Sequence, residues 1–256
     1  MSRWTAASRW TGARVQREVF FFPSNSVDLY GSLYAAQRTP ARTGYVICPP
    51  WGYEAAAMHD AMHAFALGMS RLGGAALVFQ WPGHGDSRGD AARVTFDDLV
   101  RATLDATEAA KRRCGQVDWA LAGFRIGAAA AVLATELLPV SSLLLVQPVL
   151  DPDAFVEAAE RQLERAARVG GGSELGQPPQ ESEVSLRGVD STKVSSVLKR
   201  FPGRVGVARC ASPELEAGIE STNDVIVRTD WRRELRQNGR RLVPAALRCA
   251  RLLEAT

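Results

Sequence analysis

Histidine and cysteine are both scarce in this chain, and each scarcity excludes a class of chemistry. The 256 residues include three histidines, His59, His63 and His84, so the last two thirds of the sequence offer no imidazole as a base or a metal ligand. The four cysteines, Cys48, Cys114, Cys210 and Cys249, stand far apart with no CxxC pair, which argues against a zinc site and against a disulfide framework. Reduced thiols, and with them a cytoplasmic location, are the expectation. No apolar run reaches the ~18 residues a membrane span needs, and the longest, around Ser142 to Leu150, has the length of a buried strand. The first fifteen residues, MSRWTAASRWTGARV, lack the apolar segment of a secretory signal. A block of like charge is missing too. The net charge is +3, but the arginines alternate with acidic residues in Glu157 to Arg168 and Arg232 to Arg251, the pattern of solvated helix faces and not of a nucleic-acid stripe.

What is present is apolar material in a regular rhythm. A hydrophobic fraction of 46% over this length supplies one large core, so a single domain over residues 15–256 is expected, preceded by a flexible extension over 1–14 in which Trp4 and Trp10 form a near-repeat. Val15 to Phe22 and Val27 to Ala36 read as a hairpin. From residue 44 onward, short apolar strands alternate with segments of helical period: strands at Gly44 to Cys48, Ala75 to Gln80, Val117 to Ala122 and Ser142 to Val149, with helices at Ala55 to Leu72, Phe96 to Arg113 and Ile126 to Leu138. That is the spacing of parallel βαβ units, and it predicts an α/β fold with a mostly parallel, doubly wound sheet. The rhythm breaks after Leu150. A charged helix from Asp153 to Val169, the Gly-rich stretch GGGSELGQPPQESE and a short helix at Asp190 to Lys199 together predict a lid over about 151–200. Strands at Arg204 to Cys210 and Asp224 to Arg228 and a closing helix from Trp231 to Leu253 complete the chain.

The centre of this pattern is VDWALAGFRIGAAA, residues 117–130. It reads as a strand, a sharp turn with glycines at 123 and 127, and a helix of small residues packed close behind. Such a layout builds a nucleophile elbow, a strained turn that lifts one side chain above the sheet. The lifted residue here is Arg125, and a guanidinium cannot attack a carbonyl carbon.

Three segments carry a family resemblance: Pro49-Pro50-Trp51-Gly52-Tyr53-Glu54, then Gln80-Trp81-Pro82-Gly83-His84-Gly85-Asp86-Ser87, then Gly123-Phe124-Arg125-Ile126-Gly127-Ala128. In order and spacing over residues 15–150 they resemble the α/β-hydrolase superfamily, and within it the branch of hydrolases associated with the exosortase A system and with bacterial biosynthetic clusters. In that branch the elbow residue is often not serine. The resemblance implies an oxyanion hole from backbone amides near Trp51 and Gly52 and from Ile126, an acid near Asp151 or on the loop after Cys210, and a histidine base after the last strand. The nucleophile and the late histidine are both missing, so a Ser-His-acid triad is not expected.

The residues left to do chemistry are Arg125, as a fixed cation able to hold a carboxylate, a phosphate or an enolate, His84 as a general base, and Asp86 in the same turn. Trp51, Gly52, Tyr53, Glu54, Ile126 and Asp151 are the expected substrate contacts. Each has a structural alternative: Arg125 paired with Glu54, and His84 and Asp86 bracing their loop. His59 and His63 stand four apart on one helix face, a spacing known from metal sites, but no third ligand is evident and neither a metal nor a cofactor is expected. Ser191, Ser195, Ser196 and Ser212 lie in no motif. Two functions follow. One is acyl chemistry on an ester or thioester, free or held by a carrier protein, in a bacterial biosynthetic pathway and without a serine nucleophile; the other is a pseudo-hydrolase that binds or scaffolds. The first ranks ahead because three site-shaping segments persist together. A monomer or homodimer is expected, without nucleic-acid partners. An Arg125 facing a sizeable pocket would favour chemistry, and one buried on Glu54 with no cavity would favour the scaffold.

Overall fold

The computed structural model describes residues 16–37, 43–114, 117–157, 161, 186, 188–210, 223–227, 237 and 239–255. The extension over 1–14, Ser212, the loop after Cys210 and most of the lid expected over 151–200 lie outside the described residues.

Eight strands form one sheet in the order β1-β2-β4-β3-β5-β6-β7-β8. β1 (Arg17–Ser24) and β2 (Val27–Tyr34) are an antiparallel hairpin closed by two residues, with Asn25 in the left-handed region at φ 49° as such a tight turn requires. β2 lies antiparallel to β4 (Ala75–Phe79). From there β3 (Thr43–Cys48), β5 (Asp118–Phe124), β6 (Ser142–Val146), β7 (Arg204–Cys210) and β8 (Asn223–Val227) run parallel. The expected mostly parallel, doubly covered sheet is what forms.

Helices cover both faces because the parallel strands are apolar on both. Val46, Cys48, Leu121 and Leu145 join one core with α3 (Phe96–Cys114), α4 (Gly127–Ala134) and α6 (Ser191–Arg200). Their strand neighbours Tyr45, Ile47, Ala120 and Leu144 join a second core with α2 (His59–Leu72) and α7 (Leu242–Ala255). α4 is wedged in the middle with all eight residues buried, which explains its five alanines and one glycine: larger side chains would push it off the sheet. Asp190 caps α6 by accepting from the Thr192 amide. No helix among the described residues is long and apolar enough to cross a membrane.

Three helix boundaries differ from the sequence reading. The closing helix expected from Trp231 begins at Leu242, and the described residues before it, 237 and 239–241, are turn. The helix expected over Ala55 to Leu72 is two, α1 (Gly52–Ala57) and α2, broken at Met58, whose backbone (φ −99°, ψ 3°) leaves the helical region while its side chain is fully buried. The elbow helix expected to reach Leu138 ends at Ala134, where Thr135 turns its hydroxyl back onto the Val132 carbonyl. Of the charged helix expected from Asp153, the described part is a short α5 over 152–157, begun by Asp151 accepting from the Ala154 amide.

The elbow glycines are required by close approach. A Cβ on Gly127 would lie 2.4 Å from the Pro49 carbonyl oxygen and 2.5 Å from that of Cys48, and one on Gly123 would lie 2.4 Å from the Cα of Ala128. These neighbours are backbone and cannot rotate away. Gly127→Ala should therefore lose about 3 kcal/mol of stability, the upper end of what overpacking costs. Urea unfolding checks this, and an unchanged midpoint would show that the loop after β3 yields freely.

Candidate functional site

The crest of the sheet, where β3, β5 and β6 end, is crowded by two non-glycine residues in the left-handed region, Arg125 (φ 54°) and Gln147 (φ 47°). Left-handed backbone is costly for such residues and persists only where its surroundings hold it. Arg125 is held by three backbone bonds: its amide donates to the Val146 carbonyl at 3.0 Å, and its carbonyl accepts from the amides of Ala128 and Val149, each at 3.0 Å. Gln147 is pinned by its amide on the Ala208 carbonyl at 2.7 Å and by its Oε1, which accepts from the Cys210 amide at 2.6 Å. Arg125 thus occupies the elbow position that the sequence assigned to it.

Its side chain turns to α1. The Arg125 Nε donates to both Glu54 carboxylate oxygens, at 3.1 and 3.0 Å, and Nη1 to the Gln147 carbonyl at 3.4 Å. Only 11% of the Arg125 side chain and 16% of the Glu54 side chain meet solvent, so the charges are largely withdrawn from water and each needs the other. The expected structural alternative, Arg125 paired with Glu54, is present.

The loop after β3, PPWGYE, is braced by the loop after β4. The Trp81 indole N–H donates to the carbonyls of Pro49 and Pro50 at 3.0 and 3.1 Å. His84 packs its ring against Trp51 with centroids 4.2 Å apart, and its Nε2 accepts from the Gly52 amide at 3.3 Å. That bond fixes the tautomer: Nδ1 carries the proton and donates to the Pro82 carbonyl at 3.2 Å. Burial lowers the pKa of His84, so the ring is a neutral strut whose basic lone pair is already engaged. Ser87 is a strut as well, donating to the Gln80 carbonyl and accepting from the Tyr30 amide, both at 2.9 Å.

The remaining expected residues scatter. Asp86 is exposed, its amide held at 2.6 Å by the Gln80 Oε1. Asp151 is exposed and starts α5. Tyr53 is 69% exposed on α1, whereas Trp51 and Ile126 are buried beside the elbow. Ser191, Ser195 and Ser196 line an open surface depression along α6 with Thr192, Lys199 and Arg200. The crest thus brings together Arg125, Glu54, Trp51, Gly52, Ile126 and His84. Gln147 and Trp81 belong with them. The available signal for Gln147 was a polar residue before a proline at the end of an apolar strand, and for Trp81 its place directly before PGHGDS.

The His59–His63 pair is a different feature. The rings lie tilted at 53° to one another with centroids 4.4 Å apart, and His63 Nδ1 is taken by the Tyr34 hydroxyl at 2.8 Å. Among the described residues no group of three or more His, Cys, Asp or Glu side chains is placed to hold a metal ion. Burial, reinforced by His59 and Arg17, pushes the pKa of His63 down to about 4. A histidine depressed in the fold binds its proton more readily when unfolded, so its contribution is complete above about pH 6.5 and is lost as the pH falls toward 4. His63→Gln should flatten that acid limb by about 2 kcal/mol, the linkage value reduced for partial exposure. Chemical denaturation of both proteins between pH 7 and pH 4 measures it; parallel profiles would contradict the assignment.

No family model matches the sequence, and no curated protein matches it. Solved structures do. The chain is similar to a hydrolase-like protein from Agrobacterium vitis S4 (17% identity, 93% of this chain and 98% of that one, TM-score 0.60). It is similar also to Est1E from Butyrivibrio proteoclasticus with ferulic acid bound (16% identity, 93% and 100%, TM-score 0.63), and to an esterase from Pyrococcus furiosus (12% identity, 96% and 95%, TM-score 0.66).

Proposed function

We propose that this chain uses the α/β-hydrolase fold for binding and not for serine-nucleophile hydrolysis, as a binding or scaffolding protein for a small acyl compound of a bacterial biosynthetic pathway, acting in the cytoplasm. The observation that carries this reading is the Arg125–Glu54 pair at the crest of the elbow. A guanidinium with both carboxylate oxygens on its Nε is neither a nucleophile nor a base, and the chain has no histidine beyond His84 to serve one. His84, the one imidazole beside the elbow among the described residues, spends its lone pair on the Gly52 amide. Neutral struts and a neutralised cation shape a site; they do not move protons through it.

A second reading is favoured by one feature. Arg125 keeps φ 54°, the backbone strain of a working elbow, next to amides that could polarise an acyl oxygen. In that reading the protein transforms an ester or thioester, free or carrier-bound, with Arg125 and backbone donors stabilising an oxyanion, and His84 or Asp86 moving the proton. The structures with the same fold include esterases, which supports an acyl ligand under either reading.

Mass spectrometry of the purified protein incubated with a panel of acyl esters and thioesters, and with a fluorophosphonate that labels activated serines, separates them. The expected result is no turnover above background, no adduct, and none gained in Arg125→Ser, because a serine without an imidazole stays protonated. Turnover in the parent that Arg125→Ala abolishes would replace the binding reading with the second one.

A further inference from the structure

We infer that His59 and His63 form a site for a late first-row divalent cation, Cu²⁺ above all, held by the two Nε2 atoms with water in the remaining positions. The site is independent of whatever the crest binds. Residues 59 and 63 are one turn apart on α2, and residues four apart on a helix share a face. Their ring centroids are 4.4 Å apart. An ion bonded to an imidazole nitrogen at about 2.0–2.1 Å stands roughly 3 Å from the ring centre, so two rings whose centres are up to about 6 Å apart can close on one ion. The pair lies well inside that reach. Two protein ligands leave the other positions to water, which makes an exchangeable site and not a closed structural one.

Each ring already has the oxygen that orients a ligating imidazole. Metal-bound histidines engage their second nitrogen with a carboxylate or a similar acceptor, which fixes the tautomer and leaves the other lone pair for the ion. His59 Nδ1 lies 3.2 Å from the Asp60 carboxylate, and because a carboxylate accepts, Nδ1 carries the proton and Nε2 the lone pair. His63 Nδ1 lies 2.8 Å from the Tyr34 hydroxyl, whose oxygen accepts when His63 ligates. Neither Nε2 has a hydrogen-bond partner among the described residues. Tyr34 is a buried residue of β2, so His63 is held by the sheet, while the half-exposed His59 has room to adjust. Two charged side chains act on the pair. Asp60 favours a cation and Arg17 opposes one, but Arg17 is turned to β2, its Nε donating to the Ser32 Oγ at 2.6 Å and its Nη2 to the Tyr30 hydroxyl at 3.4 Å. Imidazole suits copper, nickel and zinc, and Cu²⁺ stands highest in the affinity order of the divalent ions.

The test titrates Cu²⁺ at neutral pH into the untagged full chain and into His59→Gln, His63→Gln and Tyr34→Phe. Competition with glycine gives the affinity, electron paramagnetic resonance counts the nitrogen ligands, and near-UV circular dichroism checks the fold. The parent should bind one Cu²⁺ with hyperfine structure from two imidazole nitrogens. Tyr34→Phe should keep both nitrogens and weaken binding about tenfold, as loss of an outer-shell partner does, and each histidine variant should weaken it further and lose one nitrogen. In the parent alone, Cu²⁺ should protect His59 and His63 from diethyl pyrocarbonate, read by mass spectrometry of the peptides; this decides the matter if the variants do not fold. A parent that binds no Cu²⁺, an affinity unchanged in either histidine variant, a single-nitrogen signature in the parent, or modification of both histidines at the same rate with and without the ion would each overturn the inference.

Discussion

A guanidinium placed where three strands end and a helix begins has to be neutralised, and that requirement organises the crest of this molecule. Arg125 cannot retreat into solvent, because its backbone is bonded on both sides to β6 and α4 and its side chain is 11% exposed. A carboxylate must come to it, and Glu54 does, which sets the path of the chain after β3. Removing one partner of such a pair leaves an uncompensated charge and costs far more than the net worth of the pair. The loops then fit around the tie. Trp81 holds the two prolines, His84 holds the Gly52 amide, and Gln147 links the elbow to the end of β7.

The same constraint shows that the geometry of the turn is set independently of the chemistry at residue 125. The elbow needs glycines at 123 and 127 because backbone passes within van der Waals reach of both, a demand of packing that is independent of what residue 125 does. The strain at the crest is stored in the backbone and survives a change of side chain. Fold and reaction are thus controlled by different atoms, and similarity to esterases at the level of the whole chain speaks to the first alone.

Much of this is written in the sequence. The βαβ alternation, the elbow at GFRIG and the pairing of Arg125 with Glu54 follow from apolar period, glycine spacing and the need of a buried cation for a partner. What was illegible depends on contacts distant in sequence. The apolar period of Ala55 to Leu72 runs without interruption, and only the burial of Met58 splits it into α1 and α2. His59 and His63 share a face as their spacing says, but the hydroxyl that takes His63 comes from Tyr34 on another element. Asp86 and Asp151 sit in segments that resemble site loops, yet their exposure is decided by how each turn closes, on Gln80 for one and on the start of α5 for the other. Gln147 carries no motif at all, and its role appears only once β6 and β7 are side by side.

Arg125 and Glu54 thus act as one unit. A double-mutant cycle of Arg125→Leu, Glu54→Leu and the pair, read as unfolding free energies, tests it directly. Each single variant should be strongly destabilised and the double variant should recover, giving a coupling energy of about 2 kcal/mol or more. Additive losses, with a coupling near zero, would mean that the two charges are solvated separately and that the crest is organised by something else.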